Sequence, residues 1–73
     1  MIEIYGMEGC RKCSEIVALA ESSNIEFSYT KDKNTVISLA KKLQESGELL
    51  EQIAPLILKN KKQITHSEFE KLL

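Results

Sequence analysis

Apolar and polar positions along this chain change period several times, and each change marks an element. Ile2-Glu3-Ile4-Tyr5 alternates at period two and reads as a short strand, followed by a turn at Gly6 and Gly9. Glu3 is unusual in a strand covered on both faces, which predicts a place near the rim of the sheet. From Cys13 the apolar residues fall at Cys13, Ile16, Val17 and Ala20, spaced i, i+3, i+4, i+7 along one helix face. Ser22-Ser23-Asn24 ends that helix, with Asn24 as a left-handed cap. Ile25, Phe27 and Tyr29 then alternate with Glu26, Ser28 and Thr30, the mark of a half-buried strand.

A second helix is predicted from an N-cap at Asn34 through Val36, Leu39, Ala40 and Leu43, closed by Gly47. Residues 48–54 read as a loop with a helical turn. After Pro55, Leu56-Ile57-Leu58 is a short apolar run that suits a central strand covered on both faces. Lys59-Asn60-Lys61-Lys62 reads as a solvated hairpin turn into an edge strand from Gln63 to Thr65, its lysines opposing edge-to-edge association. Ser67-Glu68-Phe69-Glu70 matches a capping box, which predicts a last helix with Phe69, Leu72 and Leu73 turned to the core. The order is β-α-β-α-β-β-α. The first two strands are expected to be parallel across a helix, and the last two to form an antiparallel hairpin.

Composition narrows the class. Seventy-three residues suit one domain over the whole chain, 1–73, near the lower size limit for a self-sufficient core. The chain is 42% apolar and 29% charged, as an ordinary globular protein is. No apolar run approaches the ~20 residues of a membrane span, and no basic-then-apolar N-terminal signal is present. A formal net charge of −1 gives no sign of nucleic acid or an anionic membrane as partner. With two cysteines only, a disulfide-stapled secreted scaffold is not expected, and a reducing, cytoplasmic setting is.

Those two cysteines carry the candidate chemistry. Cys10 and Cys13 stand at i and i+3 where a strand hands over to a helix. One helical turn puts their Cα atoms roughly 5 Å apart, inside the range a disulfide needs. Free backbone N–H groups, the helix dipole and the cations of Arg11 and Lys12 would all favour a thiolate at Cys10. Cys10 is therefore the expected nucleophile. Cys13, one turn in and on the apolar face, is the expected resolving thiol. Other readings stand beside this one: half of a zinc site with His66 as a third ligand, purely structural cysteines, or a binding module without activity. His66 itself reads as a solvent-exposed loop residue.

Taken together, Ile4-Tyr5 leading into Cys10-x-x-Cys13, the element order, Ile53-Ala54-Pro55 before an apolar strand and a capped last helix resemble the glutaredoxins, small redoxins of thioredoxin fold. The resemblance covers nearly the whole chain. It implies a four-stranded mixed sheet with helices on both faces, and a cis Pro55 packed beside the cysteines. It further implies thiol–disulfide oxidoreductase activity on protein or glutathione mixed disulfides, with no bound cofactor or metal. Tyr5, Ala54, Pro55, Thr65, His66 and Ser67 would contact glutathione or substrate. Electrons would come from glutathione or from thioredoxin reductase, and disulfide-containing proteins such as ribonucleotide reductase would be partners of a monomeric enzyme. Three departures bear on glutathione. Gly9 replaces the proline usual before the first cysteine, Met7 or Glu8 the earlier lysine, and Thr65-His66 the Gly-Gly pair before the last helix.

Overall fold

The alternation at the start of the chain becomes a strand, but a central one. In the computed structural model, which describes residues 1–50 and 54–73, β1 (Ile2–Gly6) runs into α1 (Arg11–Ser22), followed by β2 (Phe27–Lys31) and α2 (Lys33–Glu45). Then come β3 (Leu56–Lys59), β4 (Lys62–Ile64) and α3 (His66–Lys71). The sheet order is β2-β1-β3-β4. β1 lies parallel to β2 and antiparallel to β3, and β3 and β4 form the antiparallel hairpin. Among the described residues the result is a small α/β domain with a four-stranded mixed sheet and three helices.

Period two in the central strands divides the core. Ile2, Ile4 and Ile57 project to one face, where Ile16 and Ala20 of α1 and Phe69 of α3 cover them. Leu56 and Leu58 project to the other, against Val36 of α2 and the partly buried Tyr5, Leu39 and Ala40. All three residues of the Leu56-Ile57-Leu58 run are buried, as a strand packed on both faces requires. Asn24 and Gly47 take the left-handed conformation as helix terminators, and Asn60 and Lys61 take it in the hairpin turn.

Several local expectations are corrected. Glu3 sits in a central strand, not at the rim, and is accommodated there by accepting a 2.7 Å hydrogen bond from the Tyr5 hydroxyl. Gly6 is the last residue of β1 and not a turn; the reversal is left to Gly9, at φ 75°. Asp32, not Asn34, caps α2, because its carboxylate reaches both the Asn34 N–H and the Thr35 hydroxyl. Thr65 and Glu68, not Ser67 and Glu70, form the capping box, so α3 starts two residues early. This shift ends β4 at Ile64, and it buries Phe69 while leaving Leu72 and Leu73 each 42% exposed. The expected helical turn within 48–54 falls partly outside the described residues. Among the described residues no helix is long and apolar enough to cross a membrane.

Candidate functional site

Strand register explains how distant residues meet. β1 delivers the chain to Cys10 at its C-terminal end, and β3 begins at that same end because the two strands are antiparallel, with Tyr5 opposite Leu56. Ala54 and Pro55, just before β3, therefore lie beside the cysteines. Gly9 supplies the left-handed step that turns the chain into α1, and Cys10 occupies the N-cap with extended backbone. Its sulfur takes the role usually played by a serine or aspartate oxygen: the Cys13 N–H donates to Cys10 Sγ at 3.1 Å.

The two cysteines are joined in a disulfide, with their Cα atoms 5.3 Å apart. Their environments differ as their helix positions predict. Cys13 is completely buried on the inner face of α1, whereas Cys10 is only half-buried. A reagent arriving from solvent therefore meets Cys10 first.

Facing the disulfide is the Ala54–Pro55 segment. Its peptide bond is cis and Pro55 is buried. The Ala54 carbonyl oxygen lies 3.9 Å from Cys10 Sγ. From the other side, His66 Nε2 donates to the Pro55 carbonyl at 2.8 Å. A carbonyl only accepts, so Nε2 carries the proton. His66 is thus a half-buried first residue of α3 tied to the proline segment, not the exposed loop residue that its sequence context suggests.

The remaining candidates fall into two groups. Arg11 is exposed beside Cys10, and Lys12 shares its charge with Glu70 at 3.9 Å across to α3. Thr65 is occupied as a cap and Ser67 is exposed on the first turn of α3. Tyr5 belongs elsewhere. It packs in the α2-side cluster, across the sheet from α1, and its hydroxyl is held by Glu3. That hydrogen bond, then burial and the Glu3 charge, raise the phenol above its ordinary pKa of 10.

Sequence reasoning missed two parts of the site. A cavity of about 420 Å³ opens on the β2 side of Cys10, bounded by Arg11, Ser14, Val17, Tyr29 and Lys31. Lys31 pairs with Glu8 at 3.8 Å along the same rim. The second is Gly6, which lies under Cys13. A glycine inside a strand pattern is itself a sign of close approach, and that signal was present in the chain. Among the described residues no group of three His, Cys, Asp or Glu side chains could hold a metal ion.

No family model matches the chain, and neither a curated protein nor a solved structure does.

Proposed function

We propose that the chain is a thiol–disulfide oxidoreductase of glutaredoxin type, built on a thioredoxin-like fold. The observation that carries this reading is the Cys10–Cys13 disulfide capping α1, with its half-buried sulfur facing a cis Ala54–Pro55 segment. In the reduced protein Cys10 attacks a substrate disulfide as thiolate, breaking its S–S bond; the departing thiolate takes up a proton. Cys13, deprotonated in turn, attacks the Cys10 sulfur of the mixed disulfide and releases the second substrate thiol. Cys10 and Cys13 are left joined, and two electrons from a thiol or flavoenzyme reductant reopen them.

The local fields work in opposite directions at Cys10. The Cys13 N–H, the start of α1 and the exposed Arg11 cation favour its thiolate, while the Ala54 carbonyl opposes it; the Lys12 charge is shared with Glu70. The Ala54–Pro55 backbone gives a substrate chain an extended edge along which to lie, and the cavity beside Arg11 and Lys31 accommodates its flanking residues.

Two contacts weigh against glutathione as electron donor, which leaves thioredoxin reductase as the alternative donor. In the resemblance, the start of the last helix receives a carboxylate of glutathione. Here Glu68 already puts its own carboxylate on the Thr65 N–H, and His66 is committed to Pro55. A second carboxylate at that position meets charge repulsion. Turnover of a model disulfide, coupled separately to glutathione with glutathione reductase and to thioredoxin reductase, tests both statements. Activity with the second donor and little with the first is the expected result. No turnover with either overturns the enzyme reading.

A further inference from the structure

The residue under the buried sulfur is a glycine in ordinary strand conformation, so its backbone does not require glycine. The space around it does. A Cβ added to Gly6 would stand 2.9 Å from Cys13 Sγ, 3.1 Å from Cys13 Cβ and 3.1 Å from Tyr29 Cε1. Carbon contacts normally settle at ~3.5–4.0 Å, so at least one neighbour would have to move. The two neighbours are unequal. Tyr29 is 36% exposed on the sheet edge and its ring can swing outward, whereas Cys13 is completely buried.

From this packing we infer that Gly6 is a positioning residue for the resolving sulfur: its missing side chain lets α1 seat Cys13 where it can close on Cys10. The inference rests on the dithiol reading above and adds a residue to it. Its logic is a difference between redox states. In the dithiol, Cys13 Sγ can relieve an approaching Cβ by rotating about χ1. In the disulfide that rotation is forbidden, because Sγ is bonded to Cys10. An added methyl therefore penalises the closed form, and the step that forms it, more than the open one. Attack of Cys10 on a substrate disulfide does not involve Cys13 Sγ and is left alone. The electron count is that of ordinary exchange: the Cys10–Cys13 bond forms as the mixed-disulfide bond breaks, and the substrate thiolate leaves with the electron pair.

Gly6→Ala tests this through two measurements that a general loss of stability does not move together. Equilibration of the oxidised protein with dithiothreitol is expected to shift toward the dithiol by about tenfold, roughly 30 mV for a two-electron couple. Reaction with a substrate disulfide, read by intact mass, is expected to form the Cys10 mixed disulfide at the unmodified rate but resolve it about tenfold more slowly. Tyr29→Ala separates the neighbours, since Gly6→Ala/Tyr29→Ala retains the shift if Cys13 is the group displaced. Wild-type equilibrium and resolution in Gly6→Ala, or their return in the double variant, overturn the inference. A Cys13→Ser protein that forms no mixed disulfide on Cys10 defeats the dithiol reading instead. Should oxidised Gly6→Ala not fold, the same variant is expected to fold when reduced, where Cys13 Sγ is free to rotate from the added methyl; a variant unfolded in both redox states also overturns it.

Discussion

At the scale of the residue, the two sulfurs differ by position on one helical turn, and single substitutions separate their roles. Cys10→Ser is expected to reduce disulfide turnover to background. Cys13→Ser is expected to leave the first attack intact and let a mixed disulfide on Cys10 accumulate, as intact mass will show; accumulation on Cys13 in the opposite variant reverses the assignment. Tyr5 offers a second test, by pH. Its folded pKa is raised, so the neutral phenol is favoured by folding. The linked stability is complete below the unfolded value of ~10 and is lost as pH rises through the folded value. Glu3→Gln removes the charge and is expected to lower the midpoint of Tyr5 ionisation, read by tyrosinate absorbance in a Tyr29→Phe background. The cysteine pair was legible in the sequence because spacing alone sets its geometry. His66 was not. Its partner is the Pro55 carbonyl, eleven residues away, and only the assembled sheet end brings the two together.

At the scale of the element, the first three strands and first two helices follow from apolar spacing, while the ends do not. Clusters of side chains that can all cap a helix explain the errors: Asp32 and Asn34 compete before α2, Thr65 and Ser67 before α3. Tertiary packing decides between them. Starting α3 at His66 turns Phe69 onto Ile4 and Ile57, which a helix capped by Ser67 was expected to do with Leu72 and Leu73 as well. Thr65→Ala is expected to cost about 1 kcal/mol in chemical denaturation, with Ser67→Ala nearly silent. A larger loss from Ser67→Ala than from Thr65→Ala would return the cap to Ser67. The hairpin turn gives the opposite sign. Asn60 tolerates a left-handed backbone, but Lys61 at φ 66° does so at a cost. Lys61→Gly is expected to raise stability by about 0.5–1 kcal/mol in the same measurement, and no gain would argue against that backbone conformation.

At the scale of the whole molecule, the disulfide closes a loop with a sequence separation of three, so it constrains little of the unfolded chain. Chain-entropy arguments give about 2 kcal/mol for so short a loop. The reduced protein is therefore expected to stay folded, with its far-UV circular dichroism unchanged and its unfolding free energy lower by about that amount. Loss of the cooperative transition on reduction would make the pair a structural staple instead. The antiparallel β1/β3 pair also gives the molecule two ends of different character. Tyr5 and Leu56 mark the disulfide end, and Ile2 and Lys59 lie three register steps away, about 10 Å along the strands. The Asn60-Lys61 turn, exposed and built of polar side chains, projects beyond that second end. An electrode linker or fluorophore attached at Lys61 would thus hold the chain by its chemically idle pole and leave Cys10 facing the solution.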